Sequence, residues 1–199
     1  MFLQSGEEPE DIFFLTKGYV RQYFSFESGT EITLEILAAN TYFSVSPAII
    51  GKPNNFSFAA LTDCTVVKIP KDKFISFIKS QAPNLVYDFM STILKRNYES
   101  MNRIEGLLTR GAYGKVISVL LYTAGHFGKK VGKTIIITLP LTHWELAELA
   151  GITRETASIV MEKLKTKKLI YYHGKTITIQ NLRVLKQELM APAKSFEFS

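Results

Sequence analysis

Residues 142–166 carry two helical patterns with only Gly151-Ile152 between them, and no other feature limits the possible fold as tightly. Thr142-His143-Trp144-Glu145 has the Ser/Thr-x-x-Glu spacing of a capping box. In such a box the Thr142 hydroxyl accepts from the Glu145 amide and the Glu145 carboxylate reaches back to the Thr142 amide. The first helix therefore starts at a defined residue. It ends at Gly151, the residue type that enters a left-handed cap at least cost. Thr153 caps the next helix, although position 156 is Thr rather than Glu and the second box is incomplete. In the run 153–166, Ala157, Val160, Met161 and Leu164 fall on one helical face. Glu155, Ser158, Ile159 and Glu162 fall on the other, with Arg154 at its start. "LIYYHGKTITIQ" then reads as two short strands around His173-Gly174-Lys175. Two helices joined by a short Gly turn and followed by a hairpin define a winged helix-turn-helix.

In that motif the second helix lies in the DNA major groove with its N-terminal residues at the base edges. Arg154 and Glu155 stand on that first turn. Arg pairs at two points with guanine O6 and N7, Glu accepts from cytosine N4, and Ser158, one turn on, reaches a base or a phosphate. The charge distribution agrees with a polyanionic partner. Residues 1–80 hold 7 Lys/Arg against 9 Asp/Glu, residues 81–139 hold 8 against 3, and residues 140–199 hold 9 against 6. The net charge of +6 thus lies wholly beyond residue 80. A rival reading is a small-molecule sensor or interaction module whose basic C-terminal half meets a protein partner. Salt-dependent binding to duplex DNA separates the two.

Residues 1–70 read as strands. "DIFFLTKGYVRQYFSF" is broken at Lys17-Gly18, "FESGTEITLEILA" carries a Ser28-Gly29 turn, and "FSFAALTDCTVVKIP" ends at Pro70. Short strands with such turns predict a barrel or sandwich. The texture changes after Pro83, where a helical run reaches Gly106 without Pro or internal Gly. Val86, Met90, Ile93, Asn97, Met101, Ile104 and Leu108 form nearly a heptad seam. A single polar Asn97 in that seam would fix the register of a homodimer. The bland alternative is a long helix lying across its own barrel. A helix over roughly 111–125, a Gly-rich break "GHFGKKVGK" and an apolar β run "TIIITLP" lead to the helix pair. The expected architecture is α+β: a barrel or sandwich over 1–82, a dimerisation helix over 83–109 and a winged helix-turn-helix over 110–199.

Other function classes lack their residues. Cys64 is the single cysteine, which excludes a disulfide framework and a cluster held by several thiolates of one chain. It is expected as a small buried core residue. His126, His143 and His173 lie far apart with no carboxylate or thiol at ligand spacing, so no metal site is expected. His143 is expected exposed at a helix start. No Ser-His-Asp, paired-carboxylate or Walker arrangement points to an enzyme. "MFLQSGEEPEDIFF" has no signal-peptide pattern, and no segment offers the ~18 uncharged apolar residues of a membrane helix. A cytoplasmic protein without membrane contact is expected.

Residues 141–182, with "GITRETAS" and "HGKTI", resemble the DNA-binding domain of the cyclic AMP receptor/fumarate–nitrate regulator (CRP/FNR) superfamily. The resemblance extends to "EEPEDIFFLTKGYVRQY" and "ALTDCTVVKIP" in the β-roll. It implies a homodimeric transcription factor on a partly palindromic operator, with RNA polymerase as a further partner. The family's base readers fall on Arg154, Glu155 and Ser158, and the next, commonly Arg, falls on Ile159, which offers an apolar surface to a thymine methyl. Thr142, His173 and Lys175 align with phosphate-contacting positions. The sensor departs further. Members that bind cyclic AMP carry Gly-Glu and Arg-Ser pairs, whereas "NTYFSVSPAIIGKPNNFSFAA" has neither Glu nor Arg, and Asn54-Asn55 stand near the Arg-Ser position. Lys52 is its only cation and lacks the planar fork of Arg. Cyclic AMP is therefore not the expected effector, and the cysteine ligands of the oxygen-sensing branch are missing too. This sensor more nearly resembles the divergent branch typified by the listerial virulence activator, which implies either no cofactor or an unidentified effector such as a thiol peptide or an apolar metabolite. The family chain usually has a further strand before the point where Met1 stands, so a truncated start is expected.

Overall fold

A computed structural model describes residues 1–190; residues 191–199, the tail of the expected DNA-binding segment, lie outside the described residues. The chain divides into two compact units, one spanning Met1–Glu105 and the other starting at Gly106.

The first unit opens with β1 (Asp11–Lys17), β2 (Val20–Ser25), β3 (Glu31–Leu37) and β4 (Thr41–Phe43). A short helix, α1 (Val45–Ile50), precedes β5 (Ser57–Ala60), β6 (Thr65–Pro70) and α2 (Lys71–Lys79). The strands form two antiparallel sheets, ordered β4-β1-β6 and β3-β2-β5. Consecutive strands β1 and β2 therefore belong to different sheets, and Gly18 makes the corner between them. Its φ is +90°, and a Cβ there would stand 2.3 Å from the Asp63 carbonyl oxygen. Only glycine fits such a corner. Leu15, Val20, Leu37, Phe43 and Phe58 are buried in one cluster, with Cys64 half-buried at its margin rather than fully inside. Ile12, Val45, Ala48 and Phe74 form a second cluster.

A 27-residue helix, α3 (Pro83–Thr109), follows, and none of its residues is fully buried. Two adjacent stripes run along it. Phe89 and Ile93 pack against the second cluster of the sheet unit, and Arg96 and Arg103 continue that face. Val86 is half-buried on the same side. The neighbouring stripe is Tyr87, Met90, Leu94, Asn97, Met101, Ile104 and Leu108, all exposed. The structure thus places Val86 and Ile93 of the expected seam on the barrel side, where Tyr87 and Leu94 replace them in the exposed row. Both stripes repeat every three and four residues, so spacing does not say which one packs within the chain.

The second unit contains α4 (Ala112–Phe127), β7 (Gly128–Val131), β8 (Thr134–Ile137), α5 (His143–Ala150), α6 (Arg154–Thr166), β9 (Ile170–His173), β10 (Thr176–Ile179) and α7 (Leu182–Met190). Its four strands form one antiparallel sheet, β7-β8-β10-β9. The Gly-rich stretch read as a break is strand β7, turning into β8 at Gly132 with φ of +61°. Val116, Ile117 and Leu120 of α4 are buried, as are Leu146 and Leu149 of α5, and Ala157, Met161 and Leu164 of α6. Among the described residues no helix is long and apolar enough to cross a membrane.

Candidate nucleic-acid interface

The start of α5 is built as its sequence requires. The Thr142 hydroxyl accepts from the Glu145 amide at 3.3 Å, and the Glu145 carboxylate accepts from the Thr142 amide, completing the box. The Thr142 hydroxyl also donates to Glu145, so both donors of Thr142 serve the cap. Gly151 closes the helix in the left-handed region at φ 58°. Thr153 then accepts from the Thr156 amide at 3.2 Å and starts α6. The apolar stripe of α6 is turned inward, with Ala157, Met161 and Leu164 fully buried. Packing that stripe against α4 and α5 fixes which way the other face points. Arg154 and Glu155 are exposed on its first turn, and Ile159 is 69% exposed, a large apolar side chain left in solvent.

The wing is anchored to the same place. Strands β9 and β10 pair from Ile170↔Ile179 to His173↔Thr176, leaving Gly174-Lys175 as a two-residue turn. Gly174 takes φ of +56°, the positive value that tight hairpin turns demand. The Leu141 amide donates to the Lys175 carbonyl at 3.1 Å, which ties the turn to the segment entering α5. Thr142, His143, Trp144, Arg154, Tyr172, His173, Gly174 and Lys175 together line one open cleft. Arg154 and Lys175 are cations, two more of these residues are histidines, and none of the described residues lining the cleft is a carboxylate. Such a surface suits an extended anion.

His143 is not the free, exposed residue expected at a helix start. It is half-buried, its Nδ1 is 2.9 Å from the Ser158 hydroxyl, and its ring meets Tyr172 edge-on at 5.3 Å. Tyr172 in turn donates to Glu162 at 2.8 Å. That bond, followed by the nearby Lys165, holds the Glu162 carboxyl below the usual carboxylate range. The same bond pushes the Tyr172 phenol up. Two hydrogen bonds and one ring contact therefore join α5, α6 and the wing. Of the residues singled out from sequence, Arg154, His173, Lys175 and Thr142 line the cleft, while Glu155 and Ile159 lie along the exposed face of α6. Ser158 sits behind them, bonded to His143. Trp144 was missed; it is 60% exposed at the cleft, with its indole N–H donating to Glu148 at 3.0 Å. Among the described residues, no group of three His, Cys, Asp or Glu side chains gathers as a metal site.

A helix pair with a reading face and a wing defines a DNA-binding domain, and here it follows a β-roll and a long helix. Family models match both halves: a cyclic nucleotide-binding domain over residues 1–81 and a Crp-like helix-turn-helix domain over 114–188. The global nitrogen regulator of Synechococcus elongatus is 30% identical over 185 residues, covering 92% of this chain and 83% of that protein. The cAMP-activated global transcriptional regulator CRP of Pasteurella multocida is 23% identical, covering 91% and 86%. In structure, FixK2 from Bradyrhizobium japonicum matches with a TM-score of 0.80 at 17% identity over 98% of this chain and 93% of that one. A CooA mutant from Carboxydothermus hydrogenoformans matches at 0.79 and 23% identity, over 94% and 82%. The chain belongs to the CRP/FNR family of transcription regulators.

Proposed function

We propose that this regulator works as a homodimer on a near-palindromic operator, reading each half-site with the first turns of α6. The observation that carries the proposal is the cleft in which Arg154, His173 and Lys175 converge beside the exposed face of α6. Arg154 reads a guanine and Glu155 a cytosine, while Ile159 meets a thymine methyl. His173 and Lys175 on the wing hold phosphates and set the register. Thr142 takes part through the cap that orients α5, since its donors are engaged by Glu145. Ser158 contributes by way of its bond to His143, which keeps α6 against α5. The dimer forms along Tyr87, Met90, Leu94, Asn97, Met101, Ile104 and Leu108, a row whose apolar members are left in water by a single chain. Two recognition helices then lie about 34 Å apart, one turn of DNA. On the promoter, RNA polymerase is the further partner. The β-roll senses an effector other than cyclic AMP; Lys52, the cation of its cassette stretch, is exposed on the loop.

The deciding experiment is selection of bound sequences from a randomised duplex library by the native protein and by Arg154→Ala. Loss of preference at one base pair in each half-site supports the assignment. An unchanged preference would remove Arg154 from the groove.

A further inference from the structure

Trp144 is the single tryptophan of the sequence, and it stands 60% exposed on the first turn of α5. A lone aromatic side chain elsewhere on a protein surface would be ordinary. The surroundings of this one are not. It lines the cleft together with Arg154, His173 and Lys175, so an apolar ring stands among the cations there. Phosphates drawn to those cations bring the sugars of the same strand toward the ring.

Two details decide what the ring can touch. The first is its donor. The indole N–H is the one polar group of the side chain, and it donates to Glu148 at 3.0 Å, one turn further along the same helix. Turning that N–H to a phosphate would release the Glu148 carboxylate beside a polyanion, where like charges repel. Trp144 is therefore left with its ring to offer, and the bond to Glu148 holds that ring in place before anything binds.

The second detail is the helix that carries it. In a helix-turn-helix the second helix enters the groove, and the first crosses the sugar–phosphate backbone. Trp144 belongs to the first. Base edges are met from α6, where Arg154 and Ile159 are exposed. What α5 meets is the backbone of the strand, and the apolar part of that backbone is the C–H surface of the deoxyribose.

We propose that Trp144 packs its indole ring against a deoxyribose of the bound DNA, next to the phosphates held by His173 and Lys175. The proposal rests on reading α6 as the recognition helix and adds a contact of a different kind. The cations of the cleft act through charge, and their contribution falls as salt rises. Covering an indole removes apolar surface from water and releases no counter-ion. The ring meets every sequence alike, because each nucleotide carries the same sugar. Trp144 thus fixes the register of α5 on the strand, while base choice stays with α6.

The native protein carries its own reporter, because Trp144 is its single indole. With a duplex selected from the randomised library bound, acrylamide should quench the tryptophan emission about twofold less or weaker still, as the sugar covers much of the exposed ring. Trp144→Ala should lower affinity for that duplex roughly ten- to a hundredfold, since a dimer loses the contact at both half-sites. Its base preference and its slope of log K against log salt should match the native protein, whereas Lys175→Ala lowers that slope. Trp144→Phe should restore most of the affinity. Phe and Ala both free Glu148, so the difference between them isolates the ring. Unaltered quenching in the bound protein would overturn the proposal, as would Trp144→Phe binding no better than Trp144→Ala. A changed base preference or a reduced salt slope in Trp144→Ala would overturn it too. Anisotropy of a dye on the duplex follows binding separately. Absence of binding removes the regulator reading and this contact together, and binding without protection of the indole removes the contact alone.

Discussion

In the N-terminal unit all three guanidinium nitrogens of Arg96 are bound by Glu35 and the Tyr42 carbonyl, whereas Arg154 in the C-terminal unit stands exposed beside Lys175 and His173. The same side chain serves opposite ends. A guanidinium whose donors are engaged within the chain fixes structure and gives nothing to a ligand. One left in solvent next to other cations contributes little to folding and is available to a polyanion.

The strongest test of this division lies on α3. Leu94→Glu places a charge on the exposed row and should yield monomers, with operator affinity lower by roughly 10²–10⁴-fold as the second half-site is lost. Sedimentation and operator titration read both effects, and an intact Leu94→Glu dimer would show that the row is not the interface. Ile93→Glu, one residue away, should instead lower the melting temperature, because Ile93 packs against the cluster containing Ile12 and Phe74.

Next come the two arginines themselves. Arg96→Ala leaves Glu35 without its partner and should cost about 2–3 kcal/mol of stability by urea unfolding. Arg154→Ala should leave the unfolding midpoint within about 0.5 kcal/mol of the native value. It should nevertheless cost about 1–3 kcal/mol of discrimination at one base pair. If Arg154→Ala destabilises the fold as much as Arg96→Ala, the contrast fails.

Lys175→Ala is expected to act more evenly. It should weaken binding to all sequences alike and reduce the slope of log K against log salt by about 1. A change confined to one base pair would move Lys175 from phosphate to base.

The smallest effect concerns pH. Lys167 donates to Glu188, and this bond, with a further one from Tyr113, holds the Glu188 carboxyl below its ordinary value. A depressed folded-state value means that the carboxylate stabilises the fold above the unfolded carboxyl pKa. The benefit disappears as pH falls through the folded one. Because the site is partly open to solvent, the loss should stay under about 1 kcal/mol. Melting temperature followed into acid should fall less steeply in Glu188→Gln than in the native protein.

The helix pair was legible because each of its signals is local. A capping box, a glycine in the left-handed region and an apolar stripe of four residues act within one or two turns of helix, so spacing alone reveals them. Elements without such signals were missed. Strand β7 is exposed at all four residues, so Gly128-Lys129-Lys130-Val131 shows no apolar alternation. The six-residue α1 is too short for a stripe to emerge. In α2, Pro70 looked like the end of a strand and proved also to be the N-cap of the next helix. Helix α7 did carry a local signal, its Asn181 cap, whose side chain accepts from the Arg183 and Val184 amides at 3.0 and 3.3 Å.

The sequence by itself determined the order of the parts, the cap geometry of α5 and α6, and which residues stand on the exposed face of α6, because these follow from neighbours a few positions apart. Only the tertiary structure decided which stripe of α3 packs inward, that Arg96 spends its donors on Glu35 across 61 residues, and that His143 supports Ser158. Those outcomes depend on groups far apart in the chain being brought within hydrogen-bond distance, and no local pattern encodes which distant partner a polar side chain will find.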